Sequence, residues 1–150
     1  MTRKVLGGKD FDCFVGNSMI IVSEASVKIT DGRKVTTTRG VPNGIVDGPV
    51  EAEVTLKLNH ENFLILQAHA QQAGSWKSIE PIDISFTASV AAGDMVVDVF
   101  GCAPQLEELL NIKAEGGEEN TFSIKCLVTS KDFVHINGVP YLTSDEVRNL

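Results

Sequence analysis

The chain is poor in the residues that most chemistries need. Its 150 residues include three cysteines, three histidines, one tryptophan and one tyrosine. Cys13, Cys102 and Cys126 are odd in number, and their spacings match no zinc pattern. They are expected to be reduced, buried thiols that pack as small hydrophobes, which points to synthesis in a reducing cytosol. His60 and His69 fall on opposite sides of one expected helix and so cannot share an ion. His135 sits in an expected hairpin. No serine or threonine lies in a nucleophile elbow, and a Cys126–His135 pair would need an accident of folding. Glu107–Glu108 and Glu118–Glu119 are adjacent in sequence, and neighbours on a strand point to opposite faces, so neither pair suits acid–base work. Gly7-Gly8, Gly116-Gly117 and Gly138 fit no phosphate-binding fingerprint. No catalytic residue, cofactor or metal is expected, and the chain is not read as an enzyme.

Positive charge is also scarce. Thirteen Lys and Arg stand against 20 Asp and Glu, for a net charge of −7 and a pI near 4.9. A protein that grips phosphate by charge is usually basic, so tight nucleic-acid binding is disfavoured. An acidic wall past which nucleic acid slides stays open. No apolar run approaches the roughly 18 residues of a membrane span. Met1 to Lys9 lacks the apolar stretch of a signal peptide, so none is expected. No linker, low-complexity tract or repeat divides the sequence. With 43% hydrophobic residues, a single domain over residues 1–150 is expected, able to fold without staples.

What is present is mostly strand pattern. Phe11 to Val15 is a short strand followed by the turn dipeptide Gly16-Asn17. A longer strand is expected from Ser18 to Thr30, with Ser23, Ala25, Val27 and Ile29 on one face and Glu24, Ser26, Lys28 and Thr30 on the other. Asp31 to Pro49 is polar and rich in turn signals: Asp31-Gly32, Pro42-Asn43-Gly44 and Asp47-Gly48-Pro49. It is taken as the extended tip of a hairpin. Val50 to Leu58 alternates strictly, with Glu51, Glu53, Thr55 and Lys57 on the wet side. Asn59 is a plausible N-cap for an amphipathic helix that carries Phe63, Leu64, Leu66, Gln67 and Ala70 and ends at Gly74. Trp76 is expected to close the core beneath it.

Ile82 to Val90 and Met95 to Cys102 are expected strands about a turn at 91–94. Gln105 to Lys113 fits a helix or a strand equally by pattern. Glu115 to Asn120 is a charged turn. Thr121 to Thr129 is a strand with Phe122, Ile124, Cys126 and Val128 inward. Phe133 to Leu142 suits a small hairpin about Asn137-Gly138, and Ser144-Asp145-Glu146 can cap a last helical turn. Strands, one helix, then strands favour an α+β or β-sandwich domain over a parallel α/β fold. Several strands have one apolar and one wet face, and exposed strand edges are hazards. Closure into a barrel removes edges. Where one chain has too few strands, a repeated heterologous contact between copies closes a ring instead.

Three stretches carry a resemblance over nearly the whole chain: Gly8-Lys9-Asp10-Phe11-Asp12; Thr38-Arg39-Gly40-Val41-Pro42-Asn43-Gly44 with Val46-Asp47-Gly48; and Asp132-Phe133-Val134-His135-Ile136-Asn137-Gly138-Val139-Pro140-Tyr141-Leu142. Gly74-Ser75-Trp76 before a strand also fits. With them the sequence resembles the tail tube proteins of contractile-tailed bacteriophages and prophages. The resemblance implies a mainly β fold: two packed antiparallel sheets, one flanking helix and long hairpins. It implies rings of six copies stacked into a tube with an acidic lumen, a structural protein of the virion made in the host bacterial cytoplasm. Its implied partners are further copies of itself, the tail sheath, baseplate and tail terminator proteins, and genomic DNA passing without specific binding; no membrane is implied. It makes Gln105 to Lys113 a strand paired with Thr121 to Thr129.

Mapped onto this sequence, Glu24, Ser26, Lys28, Glu51, Glu53, Thr55, Thr121 and Ser123 would face the lumen. Arg33, Arg39, Val41, Pro42, Asn43 and Asp47, within the arm Asp31 to Asp47, would contact the next ring. The plainer alternatives are the solvent face of a monomeric sandwich and a mobile loop. A tube protein of a related contractile injection or secretion system, and a monomeric ligand-binding β-sandwich, are the competing functions.

Overall fold

The computed structural model describes residues 11–90, 93–109 and 121–148. The stretches 1–10, 110–113 and 115–120, which carry the Gly8-Lys9-Asp10 motif, the end of the expected strand to Lys113 and the Gly116-Gly117 turn, lie outside the described residues. Among the described residues eleven strands and two helices follow in order: β1 Phe11–Val15, β2 Ser18–Ile20, β3 Val22–Asp31, β4 Lys34–Thr38, β5 Val41–Val46, β6 Val50–Leu58, α1 His60–Ala73, β7 Ile82–Val90, β8 Gly93–Glu108, β9 Phe122–Val128, β10 Val134–Ile136, β11 Val139–Pro140 and α2 Ser144–Val147.

The strands pair antiparallel in the order β2-β1-β7-β8-β9-β6-β3, with β10 on β8 and β11 on β10. This sheet folds over into two layers because β8 belongs to both. Its first part pairs with β7 as far as Ile82↔Cys102, and its second part pairs with β9 from Cys102↔Val128 to Glu108↔Ser123. The corner is Gly101. Its φ is +66°, and a Cβ there would lie 2.8 Å from the Ser130 Cβ. Strands that switch layers do so at such bends, and only glycine meets both demands. So the expected strands Met95–Cys102 and Gln105 onward are one 16-residue strand. The pairings Gln105↔Lys125 and Leu106↔Ile124 decide the ambiguous segment for strand over helix through Glu108.

The expected strand Ser18 to Thr30 is broken at Ile21. Before the break it pairs with β1, and after it with β6 in the other layer. The amide that loses its ladder partner at the crossing, Ile21 N–H, donates to Asn62 Oδ1 on α1 at 3.0 Å. A bulge between Val22 and Glu24 resets the register. From Glu24 onward the side chains alternate as the sequence pattern requires.

Between the layers lies one contiguous core. Cys13, Val15, Ile84, Phe86 and Val99 come from one layer, and Val54, Leu56, Leu58, Ile124 and Cys126 from the other. Burying such an aliphatic side chain contributes about 1.5–3 kcal/mol. Helix α1 is capped by Asn59, whose side chain accepts from Asn62 N–H, and is ended by left-handed Gly74. It buries Phe63, Leu66 and Ala70 but leaves Leu64 exposed. Phe63 stacks on Phe122 at 4.3 Å and on Trp76 at 5.3 Å, which closes the core end.

Candidate functional site

The second layer, β8–β9–β6–β3, has its apolar side on the core, and its other side is wet. Cross-strand partners share a face, so register alone lists the wet side. On β3 and β6 the pairs are Glu24↔Lys57, Ser26↔Thr55, Lys28↔Glu53 and Thr30↔Glu51. On β6 and β9 they are Glu53↔Leu127, Thr55↔Lys125 and Lys57↔Ser123. Glu24, Ser26, Lys28, Glu51, Glu53 and Thr55 therefore lie side by side on one surface. Ser123 is on the same face but only 8% exposed. Thr121 precedes β9 and is half-buried.

The described positions of this face carry both signs of charge. At its described register positions Glu24, Glu51, Glu53 and Glu108 meet Lys28, Lys57 and Lys125. Lys57 Nζ lies 3.6 Å from Glu24 Oε2, and Lys125 Nζ lies 3.0 Å from Glu53 Oε2. The Glu53 hydrogen bond, with its charge, raises the Lys125 pKa above its ordinary value. Lys125 was missing from the expected site set, although it is two positions from Ser123 on one strand and so must share its face.

Two edges bound this layer. Among the described strands, none lies beyond the outer edge of β3. Past Cys102, β8 pairs with β9 alone among the described strands. The four strands alternate in direction, so β3 and β8 run opposite to each other. A second copy placed head to tail would continue the antiparallel order without a mismatch.

Beyond β3 and β6 the chain projects as a separate ribbon, β4–β5. The ribbon turns at Arg39 (φ +54°) and Gly40 (φ +79°), the pair of positive φ angles that a two-residue hairpin turn needs. Pro42, Asn43 and Gly44, which look like turn residues in the sequence, are part of β5 instead. Asn43 sits at a bulge and is tied to Thr36 and Thr38 by its side chain. Val35, Val41, Ile45 and Val46 are all more than half exposed, from 52% to 67%. Arg33, Arg39, Pro42 and Asp47 are exposed as well.

The ribbon root is narrow. A Cβ on Gly48 would lie 2.1 Å from the Gly32 carbonyl oxygen, and one on Gly32 would lie 2.5 Å from the Pro49 carbonyl oxygen. Gly32 N–H donates to Pro49 O at 3.0 Å. Beside it Asp31 accepts from the Tyr141 hydroxyl at 2.7 Å and from Arg33 Nε at 2.9 Å. The Tyr141 hydrogen bond, then that of the Arg33 amide, holds the Asp31 carboxyl below its ordinary pKa, and the same Asp31 contact, with burial, raises the Tyr141 phenol. The C-terminal segment is thereby clasped to the root of the ribbon.

Elsewhere the described residues offer little chemistry. Cys13, Cys102 and Cys126 are free and buried; burial pushes their thiols up to about 11, 12 and 12 respectively, so thiolate is absent at neutral pH. No group of three or more His, Cys, Asp or Glu is placed to hold a metal among the described residues. A cleft of about 730 Å³ between the β1–β2 turn and the end of α1 is lined by polar residues such as His69, Glu80 and Asp83 and by the apolar Ala73, Ile79, Pro81 and Ile82.

Residues 9–142 match the family described as Bacteriophage HP1, Orf24. A provisionally named tail tube protein of Haemophilus phage HP1 (strain HP1c1) is 39% identical over 145 residues, 97% of each chain. Among solved structures, a chain of the PVC extracellular contractile injection system sheath–tube complex in its extended state superposes with a TM-score of 0.66 at 17% identity, covering 88% of this chain and 90% of that one. A chain of the anti-feeding prophage tube-terminating cap gives 0.63 at 17% identity, over 91% and 93%. At such identities the structural likeness speaks for the fold alone.

Proposed function

The chain belongs to the Bacteriophage HP1, Orf24 family, and from that premise and its 39% identity to a provisionally named phage tail tube protein we propose that it is a tail tube subunit that closes into six-membered rings, stacks as the tube and conducts DNA. The observation that carries this reading is the four-stranded layer β8–β9–β6–β3, wet on one face, with two free edges whose directions match head to tail. Each ring forms when the β3 edge of one copy adds to the β8 edge of the next, and closure leaves no edge exposed. Roughly 24 strands spaced about 4.8 Å and tilted about 40° enclose a backbone circle on the order of 50 Å across, wide enough for a duplex after side chains are allowed for.

In this arrangement residues 1–150 act as a single domain. The wet face, with Glu24, Ser26, Lys28, Glu51, Glu53, Thr55, Thr121 and Ser123, lines the lumen. The ribbon β4–β5 reaches the adjacent ring. Arg33, Arg39, Val41, Pro42, Asn43 and Asp47 make the contacts, and Val35, Ile45 and Val46 become covered. A ribbon whose Val35, Val41, Ile45 and Val46 are more than half exposed suits a segment that is completed by a neighbour. Sheath, baseplate and terminator proteins are the outer partners, and the virion tail is the location. The role is structural, with no reaction assigned.

Negative-stain imaging of the purified protein over a range of concentration and salt tests the reading. Rings or tubes with an open channel are expected. Compact monomers under every condition would contradict it.

A further inference from the structure

Lysines are out of place on a surface past which DNA must slide. Each free lysine releases counterions on meeting phosphate and so slows the duplex. Lys28, Lys57 and Lys125 nonetheless stand on the wet face. Two of them are held by carboxylates on the next strand, Lys57 by Glu24 at 3.6 Å and Lys125 by Glu53 at 3.0 Å. Lys28 on β3 is directly opposite Glu53 in the register. Glu53, on the middle strand, therefore stands between a lysine on each side. Glu51, two positions along β6 and on the same face, is opposite Thr30.

We propose that local pairing of its lysines helps this face resist DNA, and that Glu53 is the residue that masks Lys125. The proposal rests on the reading that the face lines the channel. A lysine 3.0 Å from a carboxylate presents phosphate with a dipole instead of a full charge, and the tethered carboxylate competes with any phosphate for the ammonium protons. Such exposed pairs add little to folding stability; their effect here is on what the surface attracts. The described register positions carry the carboxylates Glu24, Glu51, Glu53 and Glu108 beside the three lysines, and the charge of Glu107 also acts on Lys125.

Glu53→Gln and Glu51→Gln remove the same charge from the same face of the same strand. Retention of a short linear DNA duplex by assembled tubes at low salt is the readout. Retention should rise about tenfold in Glu53→Gln, with a steeper salt dependence, and stay within about twofold of wild type in Glu51→Gln. Adding Lys125→Gln to Glu53→Gln should reverse most of the gain. An equal response of the two glutamate variants, or none from Glu53→Gln in tubes that imaging shows intact, overturns the proposal. A Glu51→Cys tube separates this from the lining itself, because the three native thiols are buried. A small maleimide should label it and a streptavidin-sized reagent should not. Labelling by the large reagent would defeat the lining reading, and the two glutamate variants would still decide the pairing.

Discussion

The hairpin that runs from β3 to β6 is two structures joined at a pair of glycines. Below Gly32 and Gly48, β3 and β6 pair with one side on the core, where Val54, Leu56 and Leu58 are at most 1% exposed. Above them, β4 and β5 continue the pairing with similar residue types, yet Val35, Val41, Ile45 and Val46 are all more than half exposed. Valine and isoleucine in a strand therefore say only that some surface will cover them. At the root that surface is the subunit's own second layer. At the tip none of the described residues covers them. In the proposed stacked rings a neighbour supplies the covering, so stability belongs to the root and assembly to the tip.

The same substitution at the two ends breaks this comparison most severely. Val54→Asp puts a charge where exposure is 0%, between Val27 and Cys126 on the flanking strands. It should cost more than about 4 kcal/mol, enough to abolish folding of a marginally stable subunit. Circular dichroism and thermal melting would show it. Glu53→Lys, one residue away and facing outward, should keep the fold. Next in size is Phe63→Ala, which removes the ring between Phe122 and Trp76. A loss of about 3–5 kcal/mol is expected in denaturant melts. Val35→Asp at the tip should change subunit stability by no more than about 0.5 kcal/mol. It should nevertheless stop rings from stacking, as sedimentation of the assembled protein would reveal.

The smallest effect concerns the clasp at the root. Asp31 titrates below its ordinary value, so the clasp is complete above the ordinary carboxylate range and is lost as pH falls through the lowered folded value. Tyr141 titrates above its ordinary value, so its contribution is complete below the ordinary phenol range and is lost as pH rises through the raised folded value. Tyr141 is the only tyrosine, and its ultraviolet titration therefore reports the clasp alone. The midpoint should lie above about 10 and return toward it in Asp31→Asn.

Strand alternation made the root legible. The strict pattern of Val50 to Leu58 assigned both faces of β6, and Asn59 with Gly74 bounded the helix. What escaped was long-range. The break at Ile21 is set by a layer change and by Asn62, 41 positions away. The continuity of β8 depends on Gly101 meeting Ser130. Asp31 and Tyr141 are 110 positions apart, and no local pattern joins them. At the tip, Pro42-Asn43-Gly44 has the composition of a turn, but the turn is formed by Arg39-Gly40, with Arg39 accepting a left-handed backbone. The resemblance implied an acidic lumen, and composition supplied only the acidity of the whole chain. Register placed Lys28, Lys57 and Lys125 among the carboxylates of the wet face, and a total charge cannot reveal which face holds which sign.

Edge-to-edge ring closure can be read from one cross-linking measurement. Ser26→Cys marks the β3 edge and Gln105→Cys the β8 edge, on a chain whose native thiols are buried. After treatment of assembled protein with a short bifunctional maleimide, the double variant should give a ladder of bands ending at six subunits, and neither single variant should cross-link. Dimers from a single variant alone, or no ladder from the double variant in intact tubes, would contradict closure through these edges.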